Sequence, residues 1–412
     1  MQKRIAVIGG GASGIMAAIT AAEAGADVTI FEHLKTGKKI LSTGNGKCNL
    51  TNLNFNITDY NTSSPQRLDK CFERFGVEDT LTFFKRIGLM LRDKNGYVYP
   101  YSEQATVVLQ VLINHLNHLM ITTCQEHVCH VGTFTNSKSG KKVWLETEDG
   151  KKHSFDAIII ACGSKAAPKT GSDGSGYTLA KELGHRLKPV LPSLVQLRCQ
   201  DAFCKELAGI RTQVRIHIVD HTKEIITEEG ELQLTDYGIS GIPVFQLSGL
   251  VNRYIYENKN AVLSAVIDFL PDINCDELNS FIERRIKEYP NMSVNELFCG
   301  TLNQKLCKVI LKSAGAKEDM KVNGLSSQKL VDILHLFKNF TFQITGSNGF
   351  EQAQVCCGGV DLNEVTDQLE SVNAPNIYFA GEILDVDGRC GGYNLQWAWT
   401  SGYIAGISAT QK

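Results

Sequence analysis

The sequence predicts an α/β fold, a parallel sheet flanked by helices and extended by a small antiparallel meander, with a second domain inserted. Three observations predict it. The chain opens as strand, glycine turn, helix, strand; apolar strand-like runs return at residues 155–162 and 376–380 after long excursions; and residues 190–345 alternate strand-like and helical segments with apolar faces of their own.

The opening stretch, RIAVIGGGASGIMAAITAAEAGADVTIFE at residues 4–32, reads as a complete βαβ unit. Residues 4–8 form a buried strand, residues 13–24 an Ala-rich helix and residues 27–31 a second strand ending at Glu32. Gly9, Gly11 and Gly14 make GxGxxG. In a Rossmann-like domain the first glycine permits the tight turn, the second admits a pyrophosphate against the main chain, and the third lets helix and strand pack closely. Ala12 and Ser13 stand at the helix N-terminus, whose free amides suit phosphate. Glu32, about 20 residues on as the fingerprint requires, accepts hydrogen bonds from an adenosine ribose, with His33 beside it. An acid here, rather than an Arg, indicates an unphosphorylated ribose, hence FAD or NAD over NADP at this site.

Residues 33–52 form a long polar connection, and such loops inside a compact domain are usually functional. We read it as a wrap around the cofactor: Gly44 and Gly46 permit positive φ, Lys38 and Lys39 suit phosphates, and Asn45, Asn49 and Asn52 supply donors and acceptors. Cys48 lies in this wrap, where a lone cysteine packs as a small hydrophobe more often than it acts as a nucleophile.

Two short helices over residues 65–88, a hairpin over 89–100 and a helix over 103–119 follow. Residues 121–155 read as the meander, with KSGKK and EDGKK as turns. The buried strand 155–162 returns to the sheet and brings Ala161 and Gly163 to the cofactor. A Gly-rich turn and a helix over 177–183 come next. In the insertion, strands are expected over 214–219, 223–227, 231–235 and 261–269, and helices over 275–288, 302–313 and 328–337, so that 190–270 is β-rich and 271–338 helical. This domain is expected to cover the cofactor and shape a substrate pocket. Residues 1–189 and 346–412 then make up the cofactor domain.

The last segment, ILDVDGRCGGYNLQWAWTSGYIAGISA, turns at Gly391 and Gly392 into a helix from about Asn394. A second glycine-rich helix N-terminus calls for a second ligand group. FAD supplies both, its pyrophosphate at residues 9–14 and the flavin N1 and O2, which carry charge when reduced, at Gly392, Asn394 and Leu395. Asp385 and Asp387 suit ribityl hydroxyls, although DVDG is also good turn chemistry.

Composition narrows the class. Hydrophobic content of 43% with charged content of 21% describes an ordinary globular chain, and a net charge of −2 with no Lys/Arg-rich block gives no footprint for nucleic acid. The first strand begins almost at once and no apolar run reaches membrane-spanning length, so no membrane association and a cytoplasmic location are expected. Thirteen scattered cysteines argue for reduced thiols rather than a disulfide framework, and their spacing with the histidines gives no metal site.

GGGASG, GNGKCNLTN, TGSDGSGYTLAKELGH, LTDYGISGIPVFQLSG and AGEILDVDGRCGGYNLQWAWTSG together resemble, in order and over essentially the whole chain, the BaiN/YhiN-like flavoproteins of the glutathione-reductase-like FAD superfamily. The resemblance implies FAD on a Rossmann-like domain, an insertion with a β-barrel-like and a helical part, and FAD contacts from residues 9–14, Glu32, residues 45–49, the region of Val128, residues 161–163, Asp385, Asn394 and Leu395. It also implies NAD(P)H-linked reductases, some acting on unsaturated 3-oxo bile acids, and amine-type oxidases. Lys47 stands where the family commonly has Arg, Cys356 or Cys357 where it has a small or hydroxylated residue, and GRCGG replaces a more usual form.

The expected activity is therefore that of an FAD-dependent oxidoreductase passing hydride from NADH or NADPH, by way of the flavin, to an activated double bond of a small molecule. Tyr237, Tyr393, His185 and Cys390 are the candidate proton donors, and Arg389 a candidate for the flavin or a substrate anion. An oxygen-using amine oxidase and a non-catalytic flavin sensor are the alternatives. No second GxGxxG marks a separate nicotinamide domain, so the nucleotide is expected to bind transiently over the flavin.

Overall fold

The computed structural model describes residues 2–136 and 140–411. Two compact units emerge, Met1–Ser193 with Phe350–Lys412, and Leu194–Gly349.

The first unit is organised by five parallel strands, β1 (Arg4–Ile8), β2 (Asp27–Phe31), β3 (Thr122–Cys124), β4 (Ala157–Ile160) and β5 (Ile377–Phe379), in the order β5-β4-β1-β2-β3. The apolar runs of β1, β4 and β5 are buried on both faces, as a sheet covered on each side demands. Alternation divides them: Ile5, Val7, Ile30 and Ile159 share one core with helix α1 (Ala12–Glu23), while Ala6, Ile8, Ile158 and Ile160 face the other. The terminal helix α2 (Tyr393–Thr410) lies parallel to α1, and glycines permit the approach. A Cβ on Gly402 would stand 2.5 Å from the Ser13 carbonyl oxygen, and one on Gly406 2.6 Å from that of Ala17.

The meander begins later than the sequence suggested. Thr122–Cys124 joins the parallel sheet at its edge, and the antiparallel strands are Val128–Asn136, Gly140–Thr147 and Lys152–Phe155. Residues 138 and 139 of the expected KSGKK turn lie outside the described residues. The helices Pro65–Arg74, Val77–Arg86 and Ala105–His118 and the hairpin Leu91–Lys94 with Tyr97–Pro100 stand where the sequence put them, as does Ser175–Glu182 within two residues at its start.

In the second unit six strands close a barrel, in the order Leu197–Cys199, Gly238–Gly241, Lys223–Thr235, Arg211–Asp220, Leu263–Asp268, Phe340–Ser347. The expected strands 223–227 and 231–235 are one continuous strand running through Gly230, and a helix absent from the sequence reading, Ile242–Glu257, follows the barrel strand ending at Gly241. Helices Cys275–Glu288, Gln304–Ser313 and Ser327–Lys338 complete the unit. The α/β class with an inserted barrel is thus the observed architecture.

Candidate functional site

In a parallel sheet the ligand crevice lies beyond the carboxyl ends of the strands. Here the ends of β1, β4 and β5 bring together residues 9–14, 161–164 and 380–385. Gly9 adopts φ +103, and a Cβ there would lie 2.5 Å from the Ala161 carbonyl oxygen; a Cβ on Gly14 would lie 1.9 Å from the Gly9 oxygen. Gly11 differs: its Cβ would meet nothing within 4 Å. Two glycines are thus needed for packing, and the middle one opens onto space at the N-terminus of α1, where the first-turn amides of Ala12, Ser13 and Gly14 have no intrahelical acceptor. Those are the requirements of a pyrophosphate cradle, met by the protein's own geometry.

Glu32 stands at the end of β2 beside this turn. Its Oε2 accepts from the Gly10 amide at 2.8 Å and its Oε1 from the Leu34 amide at 2.8 Å, which fixes the carboxylate and leaves each oxygen a lone pair for a ribose hydroxyl. The His33 ring meets that of His127 edge-on at 5.1 Å, and this contact brings buried Val128 and the meander up to Glu32.

The wrap 33–52 contains a short helical stretch, Ile40–Gly46, kinked where Gly44 and Asn45 enter the left-handed region, both at φ +55. Gly46 and Cys48 follow at φ +82 and +57. A Cβ on Gly46 would meet nothing, whereas Asn49 is buried with no partner among the described residues for its Oδ1. Cys48 is fully buried and burial pushes its thiol up to about 12. Lys39 donates to Glu382 Oε2 at 2.8 Å and to the Ala166 carbonyl at 3.3 Å. Glu382 also accepts from Ser164 Oγ at 2.8 Å and the Cys356 amide at 2.9 Å, so this carboxylate ties the wrap to the ends of β4 and β5. The sequence reading missed Glu382 and Ser164; the acid closing the strand–Gly–Glu pattern at 377–382 was the available signal.

At the far end of the rim, Gly391 and Gly392 take φ +110 and +97 and cap α2. A Cβ on Gly392 would lie 2.6 Å from Thr51 main-chain carbon. Asn394 spends its side chain locally, accepting from the Gly388 amide at 2.9 Å and donating to the Gly388 carbonyl at 2.8 Å, so what it presents outward is its amide, beside that of Leu395. Asp385 is buried and accepts from the Ser63 amide at 3.1 Å; Asp387 accepts from Asn61 at 3.2 Å. The two helix N-termini are staggered. With Gly402 level with Ser13, Ala12 lies level with residue 401, eight residues into α2 from Tyr393, or about 12 Å at 1.5 Å per residue.

The proton-donor candidates fall in different surroundings. Tyr393 is buried, its hydroxyl donates to the Asn54 carbonyl at 3.2 Å, and burial, then Asp59, pushes it up to about 12. Cys390 is pushed up to about 12 by burial. Arg389 is half-exposed with Nε 3.9 Å from Asp59. His185 is buried away from the rim against Phe379 at 4.9 Å. Tyr237 belongs to the second unit, its ring centroid 5.5 Å from the Arg198 guanidinium. Cys162 and Cys356 are likewise pushed to about 12 by burial, so the rim's cysteines are held as thiols. Among the described residues no group of three His, Cys, Asp or Glu converges to hold a metal, and no helix is long and apolar enough to cross a membrane.

Fold and rim together define a dinucleotide-binding protein of Rossmann type, with a second glycine-capped helix N-terminus beside the first. The chain belongs to the family described as HI0933-like protein Rossmann domain, whose model matches residues 3–408. Among curated relatives it is 38% identical to a 3-dehydro-bile acid delta(4,6)-reductase of Clostridium scindens, over the full length of both chains, and 27% identical to a ribosomal RNA dihydrouridine synthase of Haemophilus influenzae, over 98% of each. Among solved structures, a 3-ketosteroid delta1-dehydrogenase of Sterolibacterium denitrificans aligns over 99% of this chain and 100% of its own at 10% identity and a TM-score of 0.49.

Proposed function

We propose that this protein is an FAD-dependent oxidoreductase and, within that class, an NAD(P)H-linked reductase of a carbon–carbon double bond conjugated to a carbonyl, acting on a small molecule of 3-oxo steroid or bile acid type in the cytoplasm. The stagger of the two helix N-termini carries the cofactor reading. A ribityl chain bridges the distance between amides that suit a pyrophosphate and amides that suit the electron-rich edge of a flavin, whereas a single βαβ cradle would serve NAD equally well.

When bound, FAD supplies the hydride chemistry. The protein's share is to bind and orient it. Residues 11–14 receive the pyrophosphate, Glu32 the ribose, the wrap from Asn45 to Asn49 the ribityl side, and the amides of Gly392, Asn394 and Leu395 the flavin edge. The rim thiols, held protonated, favour direct hydride transfer over dithiol chemistry. The relatives' names support the reaction class. A 3-dehydro Δ4,6 system and the uracil ring of uridine both carry a double bond conjugated to a carbonyl. The fuller and closer match to the bile acid reductase, and a net charge of −2 without any Lys/Arg-rich block, favour the small molecule.

The test is an anaerobic titration of the flavin-loaded protein with NADH and then NADPH, followed by 3-oxo-Δ4 and 3-oxo-Δ4,6 steroids. Bleaching of the flavin bands by a nucleotide and their return on adding enone is the expected result. Bands that neither nucleotide bleaches overturn the reductase reading in favour of an oxidase or a sensor.

A further inference from the structure

The hairpin Leu91–Lys94 with Tyr97–Pro100 carries a face that the chemistry above leaves unused. Val98 and Pro100 are buried, so Tyr97 and Tyr99, two apart, share the opposite face. This face abuts both glycine turns of the rim. A Cβ on Gly391 would lie 2.5 Å from Tyr97 Cε1, and Asn52, paired with Tyr97 across the sheet, donates to the Gly391 carbonyl at 3.0 Å. A Cβ on Gly44 would lie 3.8 Å from Tyr99 Cε1. Tyr97 is 39% exposed.

Cations stand beside these rings. Arg92 is directly opposite Tyr99 and Lys94 directly opposite Tyr97. Both reach Glu103, Arg92 at 3.2 Å, and Lys47 reaches its other oxygen at 3.4 Å. The Arg92 guanidinium also lies 4.2 Å from the Tyr101 ring centroid. Three positive charges against Glu103, with Asp93 between Arg92 and Lys94 in the strand, still leave a local surplus of one positive charge on a chain whose total is −2. Glu103 holds this position in the left-handed region at φ +53, a conformation that costs a non-glycine residue free energy. The side chains of Lys47, Arg92 and Lys94 are 54%, 37% and 44% exposed, and ion pairs so open to water contribute little to stability. Stability therefore gives little reason for the surplus of positive charge. An anion does.

We infer that this face receives the nicotinamide dinucleotide that reduces the flavin, with Arg92, Lys94 and Lys47 taking its phosphates and Tyr97, against Gly391, giving the nicotinamide ring a surface to stack on. Flat rings beside clustered phosphates match tyrosines beside clustered cations. The placement also answers the want of a second glycine fingerprint, because a site shared between a hairpin and the cofactor's own glycine turns requires none. The nucleotide gives up one hydride and leaves oxidised, the flavin gains it, and no other oxidant or reductant enters. The inference rests on the NAD(P)H-linked reading.

The experiment is an anaerobic stopped-flow series in NADH and in NADPH on wild type, R92Q, K94Q and the double variant, with FAD content read from absorbance. Alongside it, equilibrium binding of NADP+ is measured at low and high potassium chloride. We expect full FAD content throughout, a nucleotide Kd raised roughly tenfold by each charge removed, and wild-type binding weakened by salt. Variants that bleach with wild-type nucleotide affinity, or wild-type binding indifferent to salt, overturn this site and leave the donor reading standing. A wild-type flavin that neither nucleotide reduces, with no NADP+ bound, overturns both.

Discussion

The hydroxyl of Ser371 and Nε2 of His185 share a hydrogen bond of 2.7 Å in the interior of the cofactor unit, and that imidazole's Nδ1 lies 3.3 Å from the Glu364 carboxylate. Serine, histidine and carboxylate in that order suggest a nucleophile. The Ser371 oxygen, however, accepts from the amides of Ala374 at 2.9 Å and Asn373 at 3.2 Å, and all three side chains are largely or wholly enclosed. The set is a clasp on the chain before β5, and it works with a neutral ring.

Burial holds the His185 pKa below the ordinary imidazole value, with Glu364 opposing. The folded state therefore binds this proton less readily than the unfolded one, and the sign follows: the contribution is complete above the unfolded value of about 6.5 and is lost as pH falls toward the folded value. Thermal unfolding of wild type and H185N, compared across that range, should show their difference narrowing on acidification. A constant difference would remove His185 from the acid response.

The glycines of the first turn separate packing from binding. G14A drives a methyl into the Gly9 carbonyl and should destabilise the protein by about 1–3 kcal/mol or prevent folding. G11A, entering open space, should keep wild-type apo-protein stability while FAD affinity falls at least roughly tenfold. Urea unfolding without FAD and fluorescence titration with FAD give the two numbers.

The Lys39–Glu382 pair is mostly enclosed, its side chains 25% and 18% exposed. Breaking one side leaves a partly buried charge without its partner. K39M and E382Q should each cost about 1–3 kcal/mol, and the double variant less than their sum. Denaturation of the four proteins measures the coupling, and strict additivity would dissolve it.

Thiol chemistry should follow burial. Cys275 and Cys299 are exposed, whereas Cys48, Cys162 and Cys356 are pushed up to about 12. Native protein at mildly alkaline pH should alkylate at Cys275 and Cys299 and spare the other three, as peptide mass spectrometry can establish. Rapid labelling of Cys48 or Cys356 would place a thiolate at the rim.

Much of this was legible from residue order, because local signals and tertiary demands coincide there. The strand–Gly–helix–strand opening fixes its own fold, and the helix over 275–288 begins at a capping box, Asn274 with Glu277, that any periodicity scan meets. Legibility failed where local and tertiary demands part. Thr122–Cys124 is short, polar and mostly exposed, and owes its place in the parallel sheet to pairing with Phe31 and its neighbours rather than to an apolar run. Gly230 looked like the end of a strand, yet barrel closure carries the chain straight through it. The helix Ile242–Glu257 was announced by Pro243 in its first turn, a signal the reading of strands and helices over 190–345 did not take up. At the rim, residue type named Asn394 and Lys39, but only three-dimensional neighbours reveal that Asn394 serves its own turn and that Lys39 meets a carboxylate from the other end of the chain.

The helix that lies along α1, namely α2, follows both the whole 194–349 insertion and β5 in chain order. During synthesis the glycine turn at residues 9–14 therefore leaves the ribosome hundreds of residues ahead of the surface it packs on, and Gly402 and Gly406 reach Ser13 and Ala17 only after the whole insertion has been translated. The two helix N-termini are thus drawn from chain on either side of the insertion, and a polypeptide truncated between the barrel and α2 keeps the turn at residues 9–14 but lacks the helix it packs on.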